Sequence, residues 1–345
     1  MKKLFTMTLI LFLVGAINLG DCFARDKKEI KVYSARFGGI VYMAGVTLSD
    51  LLNKTHPWLR ATNMESAGTI ENIKRDYDNP KMKANTLRLG VSIGYYTGRM
   101  GQAPFKKKYL GQKPIFTFAV STSGYFGTTN PKINKPQDLI GKRVGVGERG
   151  SAFLAETQFL LRDCWGIWDK IKPEYLGFKA ARDAFMDGLI DAVYCPGNMP
   201  GKGKYAIHPL MKTAIQLKKG LHFVELTKAD LEKGSKAAGW PVSLSTVPAK
   251  AIAGKLPRND ATVFHLQLMA WAYKELPEDI VYEAVKTAHQ NIKKFNEAHA
   301  AMRIMSPEVM AWLPSVSEKD VHPGAVKYYK EQGITLSIGG AKPQL

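Results

Sequence analysis

This 345-residue sequence has few cysteines and no long apolar run in its interior. Of its three cysteines, Cys164 and Cys195 lie beyond residue 24, and a disulfide bridge or two buried thiols would explain them equally well. Beyond residue 24 no apolar stretch approaches the roughly 18 residues that would indicate a membrane-spanning helix. The sequence after residue 24 therefore predicts no membrane span and leaves the pairing of the cysteines open.

The sequence also lacks the motifs of common catalytic and nucleotide-binding sites. Its seven histidines are scattered, and His56, His208 and His322 each precede a proline. No zinc-ligand spacing, C-x-x-C pair or G-x-S-x-G element occurs. Walker A and G-x-G-x-x-G patterns are missing too. We therefore expect no metal, no cofactor and no catalytic residues.

Residues 1–24 have the three-part layout of an export signal. Lys2 and Lys3 precede an apolar run over residues 4–19, and the small residues Cys22 and Ala24 stand where cleavage is expected. The run is shorter than the roughly 20 residues that span a bilayer. We predict cleavage near Ala24 and export to the periplasm.

The balance of charge is strongly basic. Lysine and arginine total 49 against 30 acidic residues, for a net charge of +19. A positive field raises the rate of encounter with anions. No pattern typical of a nucleic-acid-binding protein is present, and export makes that partner unexpected. A basic solvated surface explains the charge equally well, so charge alone does not identify a partner.

Short apolar segments alternate with amphipathic ones along the chain. The pattern first predicts strands at residues 30–34, 61–65 and 87–92 and helices at residues 41–54 and 69–77. The alternation restarts at residue 143, and the stretch beyond residue 248 is predicted to be mainly helical. Such alternation is typical of an α/β fold with parallel strands. We predict two α/β lobes with a hinge and a central ligand cleft.

One predicted lobe is formed by two separate stretches of the chain, and the other by a single stretch. Extended segments at residues 115–121 and 125–129 indicate a crossing between lobes, and the glycine and prolines of residues 239–248 indicate a return. We therefore assign residues 25–121 and 247–345 to a discontinuous first lobe and residues 122–246 to a second lobe.

Three loops place glycine and a hydroxyl group at a predicted strand-to-helix turn. They are residues 34–39, 66–69 and 147–151. Backbone N–H groups at a helix start, together with the helix dipole, favour an anion. Arg36 and Arg149 lie in two of these loops, where a guanidinium could bind a carboxylate through two parallel hydrogen bonds. Helix caps made by Thr69 and Ser151, and solvent-exposed arginines, are the alternative interpretation.

Five segments together resemble the TAXI proteins, the solute receptors of one branch of tripartite ATP-independent periplasmic (TRAP) transporters. The similarity runs over residues 34–53, 65–72, 138–151, 187–192 and 322–333. It implies a periplasmic binding protein of the type II-like fold, acting as a monomer. It further implies a small organic anion, a carboxylate, as ligand and fused integral-membrane TRAP subunits as partner.

The sequence departs from that family where ligand is expected. Val41 and Ile252 stand where the family has tyrosine, and residues 92–94 replace a polar Gln/Asp segment. These changes predict a roomier and more apolar pocket, suited to a monoanionic acid with a sizeable apolar part. The loops and the resemblance together predict these ligand-binding residues: Ser34, Arg36, Gly38, Gly39, Tyr42, Gly68, Thr69, Ser92, Tyr95, Arg149, Gly150 and Ser151.

Two other functions are compatible with the same fold. One is a periplasmic receptor that feeds a sensor kinase, which neighbouring genes would distinguish from a transporter receptor. The other is an exported enzyme, which would require a nucleophile, a base and oxyanion donors within reach in the cleft.

Overall fold

The computed structural model describes residues 26–315 and 317–338 of the chain. The predicted export signal at residues 1–24 lies outside the described residues. Within these ranges, no helix is both long and apolar enough to cross a bilayer.

The described residues form thirteen strands and twelve α-helices. The strands are β1 Lys28–Tyr33, β2 Leu59–Met64, β3 Thr86–Val91, β4 Gln112–Ser123, β5 Tyr125–Thr128, β6 Arg143–Gly145, β7 Lys172–Glu174, β8 Ala192–Tyr194, β9 Gly197–Gly201, β10 Lys204–Ile207, β11 His222–Glu225, β12 Ser243–Val247 and β13 Ala261–Tyr273. The helices are α1 Ile40–Thr55, α2 Thr69–Tyr77, α3 Pro80–Asn85, α4 Ser92–Met100, α5 Ala152–Gln158, α6 Phe178–Met186, α7 Pro209–Leu217, α8 Lys228–Ala238, α9 Glu278–Gln290, α10 Ile292–Ala298, α11 Pro307–Met310 and α12 Pro323–Glu331. A π-helical segment, Phe159–Cys164, continues α5.

The first sheet has eight strands in the order β10-β9-β4-β13-β3-β1-β2, with β12 paired to β13. Strand β1 runs parallel to β2 and β3, with α1 and α2 in the connections between them. The long strands β4 and β13 are antiparallel neighbours, and nearly all their residues are buried. Burial on both faces explains why neither strand shows the regular apolar–polar alternation of a half-exposed strand, and polar residues such as Thr117 and Gln267 are buried as well.

The second sheet has five strands in the order β11-β5-β8-β6-β7. Strand β6 runs parallel to β7 and β8, whereas β5 is antiparallel to β8 and β11. Gly124 connects β4 of the first sheet to β5 of the second. A Cβ at this position would lie 3.0 Å from the carbonyl oxygen of Thr262, so the junction favours glycine.

The chain passes between the two sheets several times. After β8 in the second sheet, β9 and β10 return to the first, and β11 then rejoins the second. Strands β12 and β13 complete the first sheet. The two sheets establish the predicted α/β fold with two lobes, while the exact boundaries at residues 121/122 and 246/247 stay a prediction.

Two elements differ from the sequence pattern. Residues 92–100 form α4 although they include Gly94 and Gly98, which disfavour helix. Strand β13 lies in the stretch predicted to be mainly helical. A long apolar run fits a buried helix and a doubly buried strand equally well, and only pairing with β4 and β3 decides between them.

Candidate functional site

A cavity of about 530 Å³ lies between the two sheets, and the starts of five helices line it. Gly39, Ile40 and Val41 bring α1 to the cavity, and Gly68 and Thr69 bring α2. From the other lobe the first residues of α5, α6 and α7 do so. The first N–H groups of a helix have no partner within the helix and carry partial positive charge. Converging helix starts therefore favour an anionic group in the cavity.

The start of α1 follows from its local sequence. Gly38 has a φ of +78°, and Gly39 occupies the cap position without a side-chain cap. The backbone N–H of Met43 donates to the carbonyl oxygen of Gly39, which closes the first turn. Because neither glycine carries a side chain, a ligand can approach this backbone closely.

The start of α2 is in contact with the other lobe. The carbonyl oxygen of Gly150 accepts hydrogen bonds from the backbone N–H groups of Ile70 at 3.2 Å and Glu71 at 3.3 Å. Gly150 has a φ of +89°, a conformation that side chains rarely adopt. A protein carbonyl thus contacts these two N–H groups, and the contact joins the second and third glycine loops.

A bidentate ion pair lies on the cavity lining. Arg36 donates from Nε to Oε1 of Glu148 at 2.6 Å and from Nη2 to Oε2 at 2.7 Å. The hydrogen bond and charge of Glu148 raise the pKa of Arg36. Arg36 belongs to the loop before α1 and Glu148 to the loop before α5, so the pair connects the two lobes.

A buried carboxyl group forms part of the cavity wall. Glu156 is 1% exposed, and its Oε2 accepts a hydrogen bond from the hydroxyl of Tyr194. The hydroxyls of Ser123 and Tyr194 also contact each other. Burial raises the pKa of Glu156 to about 7, although the hydrogen bonds from Tyr194 and Ser123 act in the opposite direction. This carboxyl therefore titrates near neutral pH.

The two histidines of the cavity carry no charge at neutral pH. Burial lowers the pKa of His208 to about 4 and also lowers the pKa of His299. The ring of His208 packs edge-on against Phe178, with centroids 4.3 Å apart. Together with Phe153 this region is an apolar wall, and Lys179 is an exposed cation on the lining.

Half of the predicted ligand-binding residues line the cavity. These are Arg36, Gly38, Gly39, Gly68, Thr69 and Ser151. They come from all three glycine loops, so the structure brings together the loops that the sequence analysis selected.

Four predicted residues on the first lobe serve other contacts. The hydroxyl of Ser34 donates to the carbonyl oxygen of Met64, and that of Ser92 accepts from the N–H of Gln267. Tyr95 is buried, which raises its pKa to about 12. Tyr42 packs edge-on against Phe37. These side chains lie outside the cavity lining.

The remaining two predicted residues belong to the third loop. The guanidinium of Arg149 lies 4.1 Å from the ring centre of Tyr175 and not on the cavity lining. Gly150 contributes the carbonyl oxygen described above to the contact between the lobes. The structure therefore gives the two loop arginines different surroundings, since Arg36 faces the cavity and Arg149 does not.

Several lining residues were not selected from the sequence. Glu148 could have been found, because it lies directly beside Arg149 in the third loop. Glu156 could also have been found, since it stands four residues after Ala152 and so on the same face of α5. Asn198 and His299 reach the cavity only through long-range packing, for which the sequence carries no local signal.

The described residues offer few other metal-binding or reactive side chains. No group of three or more metal-ligating side chains occurs in residues 26–315 and 317–338. Cys164 and Cys195 are both free and buried. Burial raises the pKa of Cys195 to about 12, so its thiol stays protonated.

Solved structures with similar chains cover most of this one at low identity. The periplasmic aliphatic sulphonate binding protein SsuA from Escherichia coli is 14% identical, with 91% of this chain and 96% of that chain covered and a TM-score of 0.41. MatC from Rhodopseudomonas palustris, solved with bound malate, is 13% identical, with 89% and 96% covered and a TM-score of 0.48. A TctC solute binding protein from Polaromonas is 13% identical, with 79% and 87% covered and a TM-score of 0.43.

The model of the NMT1-like family matches residues 33–333, which include β2 to β13, the last residue of β1 and every helix start on the cavity. The chain belongs to the NMT1-like family.

Proposed function

We propose that this chain is an exported solute-binding receptor that captures a small organic anion between its two lobes and delivers it to a membrane transporter. The observation that carries this proposal is the convergence of five helix starts on one cavity between two sheets. Contacts from both lobes allow a ligand to stabilise the closed arrangement, which the transporter then recognises.

The finer assignment within this proposal is a TAXI-type receptor of a TRAP transporter, acting in the periplasm as a monomer without catalysis. The resemblance of five sequence segments supports it. The transporter subunits are then integral membrane proteins driven by an ion gradient. Mass spectrometry of protein recovered from the periplasm tests the location, with a mature chain that begins after Ala24 as the expected result.

The lining favours an acid with a sizeable apolar part. Phe37, Phe153 and Phe178 contribute aromatic surface, and Val91 and Leu268 contribute aliphatic surface. The start of α1, which has no side-chain cap, supplies anion-binding N–H groups, while Arg36 is already paired with Glu148. We infer a monoanionic aromatic or branched acid as ligand, in preference to glutamate.

A thermal-shift screen tests the proposal. The panel contains aromatic and branched monocarboxylates, dicarboxylates and amino acids, each added to the mature protein. A ligand at 100 times its dissociation constant adds about 2.7 kcal/mol to the free energy of unfolding, which raises the melting temperature measurably. The expected result is a shift with aromatic or branched monoanions. Tight binding of glutamate would contradict the ligand class, and a panel without any shift would contradict capture of organic acids.

A further inference from the structure

A polar cluster interrupts the otherwise apolar side of the cavity. Ser121 on β4, Asn198 on β9 and Glu156 on α5 all line it. Ser121 and Asn198 are register partners of the antiparallel pair β4–β9, so they lie side by side. Ser123 follows two residues after Ser121 on the same face of β4, and it contacts Tyr194 next to Glu156. Ser123 and Tyr194 thus connect β4, which carries Ser121, to the carboxyl of Glu156.

Burial of this patch requires hydrogen-bond partners. Ser121 is 9% exposed, and its hydroxyl has no partner among the described residues. Asn198 is 5% exposed and Glu156 is 1% exposed. A buried polar group without a partner costs roughly 1–3 kcal/mol, so such groups in a cavity wall indicate an external partner.

The patch is rich in hydrogen-bond acceptors. The carboxyl of Glu156 accepts from Tyr194 through one oxygen, and a carboxylate can accept several further hydrogen bonds. Burial raises the pKa of Tyr194 well above its usual value, so Tyr194 remains a donor and Glu156 its acceptor. The other ionisable groups that line the cavity are Arg36, Glu148, Lys179, His208 and His299.

We propose that Glu156 determines specificity by accepting a hydrogen bond from a neutral O–H or N–H group on the apolar part of the captured acid, with Ser121 and Asn198 beside it. The ligand is then a carboxylate with a hydroxyl or aromatic amino group at some distance from its acidic end. This inference rests on the proposed function, and it defines the second polar feature of the ligand.

Matched ligands test this assignment. The probes are phenylpropanoate with a para hydroxyl, a para amino or a para methoxy group, titrated into the mature protein by calorimetry. The methoxy compound matches the others in size but cannot donate. Because hydrogen bonds to charged groups are strong, the hydroxyl and amino compounds bind about tenfold or more tightly than the methoxy compound.

Variants of the carboxyl group test the residue. Glu156→Met removes the acceptor, so the donor compounds and the methoxy compound bind with nearly equal affinity. Glu156→Gln keeps the shape without the charge, and the preference shrinks without vanishing. Glu225→Gln, on β11 and away from the cavity, keeps the full preference. A preference that survives in both Glu156 variants would overturn the inference.

The pH dependence provides an independent readout. The ratio of the hydroxyl to the methoxy affinity rises with pH through about 7, because only ionised Glu156 accepts strongly. Both ligands carry the same acid group, so its repulsion by Glu156 affects both affinities equally and does not change their ratio. If the acids bind without any preference for a donor, the inference fails and the proposed function stands. If no acid binds, the proposed function fails and this inference with it.

Discussion

Arg36 and Glu148 connect the two lobes through a bidentate ion pair, with nitrogen–oxygen distances of 2.6 and 2.7 Å. The side chain of Arg36 is 63% exposed and that of Glu148 is 23% exposed. Solvent therefore screens the pair, and it contributes modestly to closure. The pair joins the loop before α1 to the loop before α5, so we expect it to contribute to closure of the lobes.

Removing this ion pair weakens ligand binding slightly. An exposed pair contributes roughly 0.2–1 kcal/mol, so Arg36→Ala raises the dissociation constant by up to about fivefold. Arg149→Ala is the matched control, because this second loop arginine stacks on Tyr175 and leaves the lobe contact intact. Calorimetry with a ligand from the thermal-shift screen measures both. Equal losses in the two variants would contradict the assignment of the pair to closure.

The carbonyl of Gly150 gives a second test of closure. Gly150→Ala places a side chain at a φ of +89°, which costs roughly 1 kcal/mol and disturbs the contact with Ile70 and Glu71. Gly166→Ala has a similar φ of +68° with nothing within 4 Å of the added Cβ. Both variants lower the melting temperature, but only Gly150→Ala also lowers affinity for the ligand. An affinity loss of the same size in Gly166→Ala would refute this expectation.

The buried carboxyl of Glu156 makes stability depend on pH. Its pKa is raised from its usual 4.5 to about 7, so the folded protein holds a proton that the unfolded chain releases. The contribution of Glu156 to the free energy of unfolding therefore falls as pH rises from about 4.5 to about 7 and is level above that range. The Glu156→Gln variant has no carboxyl group to ionise at this position. Its free energy of unfolding at pH 8 therefore exceeds that of the wild type by up to about 3 kcal/mol.

Urea unfolding at about pH 4.5 and pH 8 measures this difference. The exposed Glu29→Gln serves as the control and shows no gain between the two conditions. A Glu156→Gln variant whose advantage is the same at both pH values would show that Glu156 is not the titrating group.

The two buried cysteines stay reduced in the folded protein. Cys164 and Cys195 are free in the structure, and burial raises the pKa of both thiols. The native mature protein therefore reacts slowly with a thiol reagent, whereas the unfolded protein exposes two reactive thiols. Mass spectrometry of the intact chain checks the result. A mass lower by two hydrogens, which reduction reverses, would demonstrate a disulfide instead.

Local signals in the sequence located the fold class and the three glycine loops. The apolar alternation through residues 30–92 predicted β1, α1, β2, α2 and β3 within a few residues of their observed bounds. Glycine and hydroxyl residues at a strand end favour a helix start, so those loops were detectable. All three contribute to the cavity.

What the sequence did not reveal depends on long-range pairing. Strand β13 pairs with β4 and β3, which lie more than a hundred residues earlier in the chain, and an apolar run alone does not specify that partner. The surroundings of Arg36 and Arg149 differ for a similar reason. Arg36 contacts Glu148 of the third loop, whereas Arg149 lies against Tyr175, and nothing in the loop sequences distinguishes the two arginines.

The most direct test of the account is a crystal structure of the mature protein with an acid identified by the thermal-shift screen. We expect ligand density in the cavity between the sheets, with the carboxylate within hydrogen-bond distance of N–H groups at the start of α1. We also expect contacts from residues 38–41 of one lobe and residues 151–153 of the other. Density outside this cavity, or density that touches only one of these two loops, would contradict capture between the lobes.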